Sequence, residues 1–303
     1  MKKIFLFLAI CLTFLFTGCF FDSAITEISL DIESQTLLIG ESIEFNISKT
    51  PSDSKENILV SCTVPDIVSV TDNTITATNA GETEICFKAK KKSITKKIKI
   101  RVLESEPNLL MLENSAYAKL QRATIDIRCK HYNKNFWGKE TDEILITGFG
   151  IIIETRGCNA FFITDKNLLL HASGRDYTDR YIIDYGGDKY DIVSYLSYEN
   201  SDIAIGYFVP EFIENYNPTS INQTPIFKGD YALRADLQRF SRISNIDENY
   251  FYLPSAIDRH NGVPLLNLNG DLIGMAKTND GTTTTVINQT EIKRIVDRYF
   301  EGK

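Results

Sequence analysis

Apolar and polar residues alternate in short runs along most of this chain. Ile28, Leu30 and Ile32 are separated by polar residues, as are Ile43, Phe45 and Ile47, and later Ile98, Ile100 and Val102. A period of two places successive side chains on opposite faces of an extended backbone, so each run reads as a half-buried strand. Turn signals recur about every 8–12 positions, the spacing of antiparallel sandwiches and barrels. The chain is therefore expected to be all-β.

Length and charge narrow the reading. At roughly 100–200 residues per domain, 303 residues suggest two domains. All fourteen Tyr and the single Trp lie after residue 103. This shift in composition puts a boundary near Glu104-Ser105-Glu106-Pro107, with residues 104–115 as linker. The net charge is −7 with no clustered basic block suited to phosphate backbones, which argues against a nucleic-acid partner. No Cys/His group has metal-ligand spacing, so neither a metal nor a cofactor is expected.

Met1-Lys2-Lys3 is followed by a nearly unbroken apolar run, Ile4 to Phe16. At about 1.5 Å per residue this run falls short of the ~30 Å hydrocarbon core, which argues against a permanent span. The layout is that of a signal peptide. Its end, Leu15-Phe16-Thr17-Gly18-Cys19, resembles a bacterial lipoprotein signal. That resemblance implies cleavage after residue 18, lipidation of Cys19, residues 19–23 as anchor and linker, and an extracytoplasmic, envelope-anchored protein. An ordinary secretory signal with an incidental Cys is the alternative. In an oxidising compartment Cys62 and Cys86 could bridge two sheets of one domain. Cys129 and Cys158 are placed near opposite ends of a meander, too far apart to bond.

Residues 24–103 contain Leu38-Ile39-Gly40-Glu41, Pro51, Pro65-Asp66-Ile67-Val68-Ser69-Val70, Ile75-Thr76-Ala77 and Ala80-Gly81-Glu82-Thr83. This ordered set resembles the bacterial Ig-like group 2 (Big_2) family. The resemblance implies a β-sandwich used as a spacer or adhesion module. Lys88, Lys90–Lys92, Lys96, Lys97, Lys99 and Arg101 form a basic run, read as the solvated face of an edge hairpin in preference to an anion-binding patch.

Strand-like runs continue at Thr124–Cys129, Ile144–Ile153, Ala160–Thr164, Tyr181–Asp184, Ile192–Tyr195 and Ile203–Phe208. More follow at Tyr231–Leu233, around Ile257, and at Pro264–Asn267 and Leu272–Ala276. Leu109–Leu120 reads as a lead-in helix. At the other end, Ile292, Ile295, Val296, Tyr299 and Phe300 form one face of a closing helix. Four segments then carry a second resemblance. They are Thr147-Gly148-Phe149-Gly150, Phe161-Phe162-Ile163-Thr164-Asp165-Lys166-Asn167, Ser201-Asp202-Ile203-Ala204, and Arg259-His260-Asn261-Gly262-Val263-Pro264-Leu265 with Asn269-Gly270-Asp271. In order and spacing they resemble the trypsin-like serine peptidases. Over residues 116–303 that implies two six-stranded β-barrels and a C-terminal helix.

The resemblance places the base at Asn167, the orienting acid at Asp202 and the nucleophile at Asn261. Arg259 and Gly262 stand in the oxyanion loop. Peptide cleavage needs a nucleophile, a base and oxyanion donors. An amide neither accepts a proton near neutral pH nor attacks a carbonyl. Ala256 to Lys277 contains no Ser, Thr or Cys, so a one-residue slip restores no nucleophile. His131, His171 and His260 read as surface or turn residues. The reading is thus a pseudopeptidase that holds protein or peptide without cutting it, through strand addition along Leu272–Thr278 at Met275 and Ala276. The alternatives are an active serine endopeptidase with a shifted site, or a surface adhesin. The loop His131–Gly138 holds Trp137, expected to tuck against its own barrel, and the Tyr-rich stretch 177–198 reads as strand packing.

Overall fold

The computed structural model describes residues 23–108, 119, 122–169, 178–185, 187–234, 239–257 and 262–302. The described residues are mostly strand with a few helices, and the chain divides into two compact units between Glu104 and Ser105. The lead-in segment 109–120 lies almost wholly outside the described residues.

The first unit holds nine strands: β1 (Glu27–Leu30), β2 (Gln35–Leu38), β3 (Ser42–Glu44), β4 (Ile47–Thr50), β5 (Ile58–Cys62), β6 (Val68–Thr71), β7 (Thr74–Ala77), β8 (Gly81–Ala89) and β9 (Thr95–Leu103). They form sheets ordered β2-β9-β8-β5, β3-β7-β6 and β1-β4. Ile85, Phe87, Ile98, Ile100 and Val102 line one core with Phe45, Ile75 and Ile25. Phe45 and Phe87 meet edge to face at 5.4 Å. The basic run on β9 faces solvent, opposite acids on β8: Lys97 pairs with Glu84 and Arg101 with Glu82, each at 2.7 Å. Exposed pairs of this kind contribute little to stability, but they give the basic run partners within its own sheet.

The bridge that the sequence allowed between Cys62 and Cys86 does not form; both thiols are free. The two lie on neighbouring strands of one sheet, not across two. Register places Ser61 opposite Cys86 and Cys62 opposite Ile85. The one-residue offset turns the thiols to opposite faces, and Cys62 packs toward the core. Cys129 is buried in a strand and Cys158 is exposed in a turn.

Among the described residues the second unit holds fourteen strands. The first seven are β10 (Thr124–Lys134), β11 (Glu140–Arg156), β12 (Asn159–Asp165), β13 (Thr178–Tyr185), β14 (Asp188–Asp191), β15 (Ser194–Ser197) and β16 (Ile203–Phe208). Their sheet runs β14-β13-β10-β11-β12-β16-β15. The others are β17 (Tyr231–Arg234), β18 (Arg239–Arg242), β19 (Asn245–Ile246), β20 (Tyr250–Leu253), β21 (Pro264–Leu266), β22 (Leu272–Asn279) and β23 (Thr284–Asn288), in the order β18-β17-β21-β22-β23-β20-β19. Each sheet thus has seven strands where six were expected, the smaller ones extending its ends.

Three cores explain this arrangement. Ile125, Ile127, Phe162, Leu168 and Phe208 fill the first sheet's interior. Ala232, Phe251, Leu253, Val263 and Val286 fill the second's. A third joins them: Ile151, Ile163, Ile203 and Ile205 meet Leu233, Leu266, Leu272, Met275 and Ile287. Among the described residues the unit also holds the α-helices α1 (Lys166–Leu169) and α2 (Gln289–Glu301). The second closes the shared core with Ile292 and Ile295. Asn288 caps α2 by accepting the N–H groups of Thr290 and Glu291, and Gly302 ends it in the left-handed region.

Candidate functional site

β12 and β16 are adjacent and antiparallel, so the end of one meets the start of the other; Asp165 pairs in register with Ile203. Backbone N–H of Lys166 donates to the carbonyl of Asp202 at 2.9 Å. Two aspartates therefore sit side by side where the first sheet faces the second. From the second sheet come Tyr250 on β20 and Lys277 on β22.

Asp202 is the hub. Its Oδ2 accepts the Lys277 ammonium at 2.6 Å and the Tyr250 hydroxyl at 2.9 Å. The Lys277 Nζ also lies 5.1 Å from the Tyr250 ring centroid, within cation–π reach. Burial raises the Asp202 carboxyl, but the hydrogen bonds from Lys277 and Tyr250 and the charges of Lys277 and Lys166 outweigh it, leaving the group below the ordinary range. Burial pulls Lys277 down, and its bond and ion pair with Asp202 more than restore it. An ammonium held this way stays charged near neutral pH, so Lys277 cannot take a proton as a general base.

Asp165 has no solvent exposure. Its Oδ1 accepts the Asn167 N–H at 2.7 Å, and its Oδ2 has no hydrogen-bond partner among the described residues. Burial is the largest cause of its high proton affinity and the neighbouring Asp202 charge adds to it, so the carboxyl is pushed up to about 6.

The expected site residues fall in different places. Asn167 is exposed on α1. Asp202 is partly exposed and engaged as above. Arg259, His260 and Asn261 lie outside the described residues, as do His171 and Cys19. Gly262 has φ +75°, and a Cβ there would stand 2.0 Å from the Phe149 carbonyl oxygen and 2.7 Å from Thr164 Oγ1. Only glycine fits this approach.

Met275 and Ala276 do not form a sheet edge. Both are fully buried, and β22 is hydrogen-bonded to β21 on one side and β23 on the other. Ala276 donates to the Val263 carbonyl at 2.8 Å and accepts the Gly262 N–H at 3.2 Å. Its backbone groups are already used, so a peptide strand cannot add there. Tyr250, Lys277 and Asp165 were not singled out from the sequence. Lys277 closing an apolar strand, and Asp165 closing another, are the signals available in retrospect.

Trp137 also departs from expectation: it is 86% exposed, and its neighbour Phe136 is 93% exposed. The Tyr-rich stretch does pack where side chains are described, since Tyr190 and Tyr195 lie against the first sheet's core.

No family model matches this sequence, and no curated protein matches it. Among solved structures the chain is similar to a crystal structure of the Rv3671c protease in its inactive form, at 16% identity and a TM-score of 0.45. The match covers 64% of this chain and 97% of that one. At this identity the likeness concerns fold alone.

Proposed function

We propose that this chain is an exported lipoprotein, anchored through Cys19, in which an Ig-like module carries a trypsin-like domain that binds protein or peptide without cleaving it. The observation that carries the reading is the state of Asp202. In a working triad this carboxylate orients an imidazole. Here its Oδ2 is taken by Lys277 and Tyr250. The base position, Asn167, offers an exposed amide. Together with Asn at 261, the sequence supplies neither proton acceptor nor nucleophile where the chemistry would need them.

The test uses the chain from Phe20 to Lys303, which keeps every described residue, with a fluorophosphonate serine-hydrolase probe and casein. The expected outcome is no labelling and retention of intact casein. Labelling or digestion overturns the reading and, once mapped, identifies the nucleophile. The double variant Asn167→His plus Asn261→Ser is expected to remain inactive, because Asp202 stays with Lys277 and Tyr250. Mass spectrometry of the cell-derived chain, expected to find an acylated Cys19 at the N-terminus, tests the anchor.

A further inference from the structure

We propose that the tip of the β10–β11 hairpin is a membrane-interface contact that takes a phospholipid bilayer bearing anionic headgroups. The two strands pair as far as Lys134 opposite Glu140. The turn beyond is tied by its own polar groups. Asn135 Oδ1 accepts the N–H of Trp137 at 3.0 Å and of Lys139 at 2.9 Å. The Asn135 N–H donates to the Lys139 carbonyl, and the Gly138 N–H to the Asn135 carbonyl, each at 2.9 Å. This short, hydrogen-bonded turn presents Phe136 and Trp137 almost fully to solvent, 93% and 86% exposed, packed edge to face at 5.4 Å.

Two adjacent aromatics this exposed form an apolar surface that water solvates poorly. They sit at the end of a hairpin, so they form a wedge and not a groove, which suits insertion into a soft phase. Lys134 and Lys139 straddle them, while nearby Glu140 is engaged by Lys130 at 2.6 Å. Aromatic rings between lysines match the membrane interface, where rings lie at the headgroup level and ammonium groups meet anionic lipid. The inference shares with the proposed function a location at a membrane surface, but it does not require the lipid on Cys19.

Trp137 is the single Trp of the chain, so its fluorescence reports on the tip alone. The test adds the Phe20–Lys303 chain, which has no acyl group, to vesicles of phosphatidylcholine with phosphatidylglycerol. The expected result is a blue shift of the emission and quenching by brominated acyl chains. Binding should weaken about tenfold on Phe136→Ser, read by the same shift, and about tenfold on the double reversal Lys134→Glu plus Lys139→Glu. Unchanged circular dichroism shows that these surface variants fold. Unchanged emission with every vesicle composition overturns the inference. So does vesicle co-sedimentation without quenching, or a blue shift produced by casein in place of lipid. An unmodified Cys19 removes the anchor and leaves the tip result standing. A silent tip with an acylated Cys19 does the reverse.

Discussion

The end of β12 and the start of β16 offer a comparison within one sheet. Each places an aspartate at the face toward the second sheet, yet the two differ in opposite directions. Asp165 is sealed from solvent, accepts one N–H and leaves Oδ2 without a hydrogen-bond partner among the described residues, and its carboxyl rises to about 6. Asp202, its side chain 26% exposed, takes Lys277 and Tyr250 and falls below the ordinary range. Burial opposes ionisation in both. Partners decide the outcome: the group with a cation and a hydroxyl bonded to it stays charged, while for the other the Asn167 N–H and the more distant Lys277 charge offset burial and the Asp202 charge only in part.

The largest effect should come from Asp165→Asn. A rise from the ordinary 3.8 to about 6 corresponds to about 3 kcal/mol. The Asn amide would itself be buried without a partner, returning about 1 kcal/mol. A net stabilisation of about 2 kcal/mol is expected at pH 7 in denaturant unfolding. The sign follows from the raised value: between about pH 4 and 6 the folded state holds more protons than the unfolded one, so stability falls as pH rises through that window. The variant should lose this slope and its advantage should vanish below pH 4. A gain that persists at pH 3 would show that the carboxyl's charge is not the cause.

Lys277→Met should come next, at about 1.5 kcal/mol of destabilisation at pH 7, the size of a lost charged hydrogen bond. NMR titration should find both carboxyls shifted upward, since Lys277 lowers each. The contrast would then shrink. Tyr250→Phe should cost least, about 1 kcal/mol, and should raise Asp202 with little change at Asp165. For Asp202 the sign is the reverse of that for Asp165: its contribution is present above the unfolded value and lost as pH falls through the depressed one.

Much of the fold was legible because its signals are local. The alternation of Ile98, Ile100 and Val102, the apolar run at Ile203–Phe208 and the spacing of Ile292, Ile295 and Val296 all correspond to observed elements. β23 escaped notice because Thr284–Asn288 is rich in threonine and lies just beyond Gly281. The site was legible only in part. Asp202 was identified in its strand, but its partners are 48 and 75 residues away, and no spacing links them. The cysteine error has the same origin: a sequence shows that two thiols lie on strands, whereas the register that aims them apart is set by pairing. Trp137 failed differently, since apolarity favours burial while the short polar turn that carries it has no core to bury it in.

Gly262 shows how tightly packing can constrain a single backbone position. The Phe149 carbonyl leaves no room for any side chain, whatever the neighbouring residues do. A side chain introduced at 262 is therefore expected to disrupt folding by itself. Gly262 is thus held in place by the Phe149 backbone, and its presence carries no information about the chemistry of the residues beside it.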